Sequence, residues 1–158
     1  MRFIPLLLTS LLVLAVMLVV PATSMAAPLP VDLGTASTYA LLAGSTITST
    51  GPTTINGDVG VSPGSAWTSG GATVNGTIHL GDAVAAQAKA DLVTAYNDAA
   101  GRVPVITVGT ELGGTTRIPG VYDTASGELG ITGTLTLDAQ GNPDAIFIFK
   151  TASTLVTA

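Results

Sequence analysis

From Val31 onward, apolar and polar residues follow one another in short runs rich in Thr, Val and Ile, punctuated by Gly, Pro, Asn and Asp. That pattern predicts many short strands joined by tight turns. In Ser45–Thr50 the period of two puts Thr46, Thr48 and Thr50 on one face. Ile131–Leu137 alternates more cleanly, with Ile and Leu pointing one way and three Thr the other. A faint repeat runs through the first half: Thr54-Ile55-Asn56-Gly57-Asp58-Val59-Gly60 is echoed 19 residues later by Thr73-Val74-Asn75-Gly76-Thr77-Ile78-His79. Periods of that size belong to solenoids, but Asn-Gly is also a strong hairpin turn, and two copies leave both readings open.

One segment breaks the strand pattern. Asp82–Ala100 carries Val84, Ala88, Leu92, Ala95 or Tyr96, and Ala99 at helical spacing. Asp82 is suited to the N-cap and Gly101 to the C-terminal stop. The helix must lay its apolar stripe on something. The run Ala145–Phe149, apolar at every position, is the expected partner, since a strand apolar on both faces is covered on both.

The N-terminus follows a different rule. Met1 and Arg2 precede an apolar stretch that ends at Val20, followed by Pro21 and the small residues of Ala22–Ala27. A positive start, a short apolar core and a small-residue cut site make a secretory signal peptide. Ser24 and Ala26 fit the positions before the cut, so residues 1–26 are expected to leave and residues 27–158 to form one secreted, extracellular or cell-surface domain. The unbroken part, Leu11–Val20, is shorter than the ~20 residues that span a bilayer, so no stable membrane insertion is expected after cleavage.

Charge and composition narrow the partners. Without Arg2 the chain has four basic residues against ten acidic ones, a net charge of −6. So few cations cannot displace the counterions of a phosphate backbone, which argues against nucleic acid. There is no cysteine, so this exported chain forgoes disulfides. Apolar residues are plentiful and charges are scarce, the reverse of a disordered chain. The surface must therefore be built largely of Thr, Ser, Gly, Ala and Asn.

Catalytic chemistry finds little to work with. His79 is the single histidine, with no cysteine or second histidine for a zinc site or a Cys–His nucleophile. No Gly-x-Ser-x-Gly elbow occurs. Asp58, Asp82, Asp98, Asp123, Asp138 and Asp144 mostly sit beside Gly, Asn or Pro, where aspartate shapes turns. Neither a metal nor a cofactor is expected. Trp67, in a Gly/Ser-rich stretch, would suit sugar stacking, and Asn75-Gly76-Thr77 is a formal glycosylation sequon.

Several long blocks, in order, resemble the microbial secreted ice-binding, or antifreeze, family. They are the opening Leu33–Ser45, then GPTTINGDVGVSPG (51–64), VNGTIHLGDAVAAQAKADLVTAYNDAAGR (74–102), ELGG (111–114), PGVY (119–122) and LTLDAQGNPDAIFIFKTASTL (135–155). The resemblance implies a mainly β fold: a right-handed, discontinuous β-solenoid of triangular cross-section with one long α-helix alongside. It implies adsorption to an ice crystal surface through one flat face, without turnover. In some members a Thr-Ala/Gly-x-Thr/Asn motif recurs on that face, and Thr50-Gly51-Pro52-Thr53 and Thr151-Ala152-Ser153-Thr154 match it. With the strand threonines, this makes Thr46, Thr48, Thr50, Thr53, Thr151 and Thr154 the candidate ice-binding residues. Thr35-Ala36-Ser37-Thr38 also matches, but its place in the opening block suits a structural role. Family domains continue past the point that corresponds to Ala158, so the C-terminal coils are expected to be missing, leaving an uncapped end open to self-association. The alternative function is a non-catalytic adhesin or polysaccharide-binding module that uses the same flat face.

Overall fold

The 19-residue repeat is one turn of a solenoid. In the computed structural model, which describes residues 27–158, the two copies lie side by side as parallel strands, with Thr54 opposite Thr73, Ile55 opposite Val74 and Asn56 opposite Asn75. The hairpin reading would require antiparallel pairs, and every strand pair here is parallel. The expected leader, residues 1–26, lies outside the described residues. No helix among those described is long and apolar enough to cross a membrane.

The first stack contains β1 (Tyr39–Ala43), β2 (Thr46–Thr48), β3 (Thr54–Asn56), β4 (Asp58–Val61), β5 (Ala66–Thr68), β6 (Thr73–Asn75) and β7 (Ile78–Leu80). Its three sides are the sheets β1-β4-β7, β2-β5 and β3-β6. The helix α1 (Ala83–Gly101) follows, and then a second stack: β8 (Ile106–Val108), β9 (Thr116–Arg117), β10 (Gly120–Thr124), β11 (Leu129–Ile131), β12 (Thr136–Leu137), β13 (Phe147–Phe149) and β14 (Leu155–Thr157). It has the sides β13-β10-β8, β11-β14 and β12-β9. No strand of one stack pairs with a strand of the other. The fold is thus a mainly β, three-sided solenoid interrupted by one helix.

Strands of two to five residues suffice because each side of a coil is only that wide before the chain turns. The cleanly alternating run Ile131–Leu137 illustrates this. It is not one strand but the end of β11, a corner, and then β12. Apolar residues fill the interiors: Val59, Val61 and Ile55 in the first stack, Leu112, Leu129 and Val121 in the second, all buried. Tyr122 is also buried, its ring stacked 5.1 Å from that of Phe149 and its hydroxyl donating to the Ile118 carbonyl at 2.6 Å.

The helix starts where the sequence indicates. Asp82 Oδ1 accepts from the Ala85 amide at 2.8 Å, satisfying one of the open N–H groups of the first turn. Asp82 Oδ2 lies 2.8 Å from His79 Nδ1, which ties the cap to β7. Its partner is not the expected one. The helix packs against Gly34–Thr38 and across β1, β4 and β7. Toward the second stack, Tyr96, Ala99 and Ala100 line a cleft with Ile148 and Phe149, and Lys150 Nζ donates to the carbonyls of Ala100 (3.1 Å) and Arg102 (3.2 Å). A cation there suits the negative end of the helix.

The buried stripe is Ala85, Ala88 and Ala95, with Leu92 and Ala99 half-buried, whereas Val84 and Tyr96 are exposed. Small residues let the helix approach the sheet closely, and Gly60 on the central strand β4 lets the sheet pack as tightly. A Cβ on Gly60 would stand 2.5 Å from the Tyr39 ring and 2.7 Å from Leu42. The opening Thr35-Ala36-Ser37-Thr38 belongs to this junction. Asp91 on the helix accepts from the Thr35 amide at 2.8 Å and its hydroxyl at 2.6 Å. Farther along, Arg102 pairs with Asp98 (2.6 Å) and also donates to the carbonyls of Leu29 and Pro30, holding the N-terminal segment against the helix end.

Candidate functional site

With one side of the first stack taken by the helix, β2-β5 and β3-β6 form its other two sides. On β2-β5, Ile47 and Trp67 pair in register and turn inward, half-buried. Thr46, Thr48, Ala66 and Thr68 point out. Trp67 stands on β5 rather than in a loop, and lines an open cleft of ≈ 440 Å³ with Ile47, Thr50, Pro52 and Ile55. On β3-β6, Ile55 and Val74 turn inward, and two rows run across the coils outside: Thr54 beside Thr73, and Asn56 beside Asn75. Asn75 Nδ2 donates to Asn56 Oδ1 at 2.8 Å. Every outward residue of these two sheets is uncharged.

The corner between the two sides is built from hydroxyls. Ser49 Oγ donates to the Gly51 carbonyl at 2.9 Å and lies 3.3 Å from Thr53 Oγ1, which also reaches the Gly51 carbonyl. Thr53 therefore shares its hydroxyl with the turn, while Thr50 is exposed beside it. The structure gathers Thr46, Thr48, Thr50 and Thr53 on one stack. Thr151 and Thr154 stand on the other, in the connection between β13 and β14. There the Thr151 hydroxyl donates to the carbonyls of Gly127 (2.6 Å) and Thr154 (3.2 Å), and the Thr154 carbonyl also accepts from the Leu129 amide. That geometry holds a turn.

Sequence reasoning missed Thr68, Thr54 and Thr73, the two asparagines, and the exposed Thr116–Thr136 pair of β9 and β12 in the second stack. For four of them the signal was present: the 19-residue offset that revealed the repeat also sets Thr54 on Thr73 and Asn56 on Asn75.

The acidic groups serve the backbone. Glu111 accepts from the Thr132 amide of the next coil at 2.9 Å and from the Gly113 amide at 2.5 Å. These bonds, that to Thr132 first, hold its carboxyl below the usual range. The Thr77 amide does the same for Asp58, the Thr35 hydroxyl and amide for Asp91, and the Ala85 amide, followed by His79, for Asp82. A depressed folded pKa contributes stability that is complete above the ordinary carboxylate range and is lost as pH falls through the folded value. The melting temperature should therefore hold near neutrality and drop below about pH 4. Glu111→Gln, which keeps an acceptor but cannot titrate, should flatten part of that drop. An unchanged acid profile in that variant would show that the Glu111 clamp does not contribute. Among the described residues, no three of His, Asp or Glu converge as metal ligands would.

Stacked parallel coils with a helix on one side of the first stack and uncharged, Thr-rich sheets on its other two define a β-solenoid protein. A family profile described as Ice-binding-like matches residues 41–158, and the chain belongs to that family. An ice-binding protein of Nostoc sp. (strain HG1) is 51% identical over 128 residues, which cover 80% of this chain and 47% of that protein. One from Colwellia sp is 35% identical, over 82% of this chain and 57% of its own. The chain thus spans about half the length of these relatives. Among solved structures, an ice-binding protein from an Antarctic biological consortium superposes with a TM-score of 0.80 at 43% identity, covering 88% of this chain and 64% of that one. The DUF3494 domain of Shewanella frigidimarina ice-binding protein 1 superposes with 0.71 at 26% identity, covering 84% and 69%.

Proposed function

We propose that this protein is secreted through residues 1–26 and adsorbs to ice, without turnover or cofactor, through the uncharged sides of its first stack. The observation that carries this reading is the registered ladder of outward Thr and Asn on two flat sheets. Alternate residues on a strand lie roughly 6.6 Å apart and neighbouring strands about 4.8 Å. The sheets therefore present hydroxyls, methyls and amides on a rigid, repeating grid. Such a grid holds surface water in fixed positions that a growing ice lattice can share, with no charge to impose a different hydration shell. Thr46, Thr48 and Thr68 form the contact on β2-β5, and Thr54, Thr73, Asn56 and Asn75 form a second, separate grid on β3-β6 across the Thr50–Thr53 corner. Thr151 and Thr154, on the second stack, serve a turn and stand outside the proposed contact.

Family membership and the names of the relatives support ice as the ligand over an adhesin or polysaccharide partner. Purified protein should partition into a slowly grown ice hemisphere, shape ice crystals and inhibit recrystallisation. A folded protein excluded from ice, yet retained on an insoluble polysaccharide, would replace this reading with the surface-module one.

A further inference from the structure

We infer that Asn75 is a site of spontaneous deamidation, while Asn56, in the same sequence motif one coil earlier, is protected by the fold. In an Asn-Gly pair the glycine nitrogen can attack the asparagine side-chain carbonyl carbon. A C–N bond forms, ammonia leaves with the side-chain nitrogen, and the resulting succinimide is opened by water to aspartate or isoaspartate. The step needs an exposed asparagine, a following residue without a Cβ in the way, and a backbone N–H free to turn toward the side chain.

Both Asn56-Gly57 and Asn75-Gly76 meet the first two conditions. They differ in the third. The Gly57 amide donates to the Asn75 carbonyl at 3.1 Å, and the next residues are stitched to the following coil by Val59 N to the Thr77 carbonyl at 2.9 Å. Among the described residues, nothing accepts from the Gly76 amide. Both strands of this two-stranded sheet are edges, but the Gly57 amide faces into the sheet whereas the Gly76 amide faces the open edge, where the chain passes through β7 into the helix instead of laying down another strand. Local opening is cheapest at such an edge. The product also relaxes nothing back into place: a carboxylate at position 75 cannot donate to Asn56 Oδ1, so the 2.8 Å side-chain bond is lost. This chemistry stands whether or not the face meets ice.

The test uses the unaltered protein, held at mildly alkaline pH and moderate warmth, with peptide mass spectrometry following amide-to-acid conversion at each asparagine. Asn75 should convert roughly tenfold faster than Asn56, the factor that one net backbone hydrogen bond can supply. In concentrated urea the two rates should become nearly equal. Equal rates in the folded protein, faster conversion at Asn56, or no conversion at either would overturn the inference. So would a difference that persists in urea, since the preceding Ile55 and Val74 would then be its source.

Discussion

Ala88→Asp should unfold or undock the helix, at a cost of more than about 3 kcal/mol, because it places an unpaired charge at a contact that excludes water. Ala88 and Ala85 are both 0% exposed where α1 lies on the first stack. The sheet beneath is itself closely packed, a Cβ on Gly60 already meeting Tyr39 and Leu42, so a carboxylate at position 88 would be buried away from water. Val93, on the outer face of the same helix, is 55% exposed, and Val93→Asp should change stability by no more than about 0.5 kcal/mol. Urea unfolding of the two variants compares like with like, since both add one charge to one helix. Equal midpoints would mean that the helix does not depend on this contact. Given that a domain's whole stability is about 5–15 kcal/mol, Ala88→Asp should also be recovered in low yield.

The helix itself was legible because its signals are local: a capping aspartate, helical spacing and a closing glycine. Its partner was not. The face of β1-β4-β7 beneath it carries Leu42, Gly60 and His79 in register, a mixture that gives no apolar run, whereas Ala145–Phe149 looks like an obvious helix platform. The phase of the stripe slipped for a related reason. Alanine is a weak hydrophobic marker, so Val84 drew the reading one position away from the buried Ala85, and Tyr96 stood as an alternative to the buried Ala95. The coil was legible in the repeat, but strand ends were not, because a solenoid corner needs only a few residues and Thr occurs on both sides of it. Nor can spacing reveal that one threonine hydroxyl faces water while another, Thr151, is spent on two carbonyls.

That last difference separates the candidate threonines by experiment. Thr48 and Thr68 are opposite each other on β2 and β5, both exposed, and neither hydroxyl holds the backbone. Thr48→Tyr and Thr68→Tyr should therefore leave stability within about 0.5 kcal/mol of the parent, since exposed strand positions accept aromatics. Each ring would nonetheless stand proud of a plane whose grid depends on side chains of one height, so most of the ice shaping and the partition into ice should be lost. Thr73→Tyr, on the separate β3-β6 side, should weaken adsorption through that side, and the double variant with Thr48→Tyr should lose more than either alone. Thr151→Tyr should show the converse. It removes the hydroxyl whose one O–H is shared between the Gly127 and Thr154 carbonyls, at a cost of roughly 1 kcal/mol, and should leave ice affinity unchanged wherever the protein remains folded. Parent activity surviving in Thr48→Tyr and Thr68→Tyr, together with loss in a folded Thr151→Tyr, would move the contact from the first stack to the second.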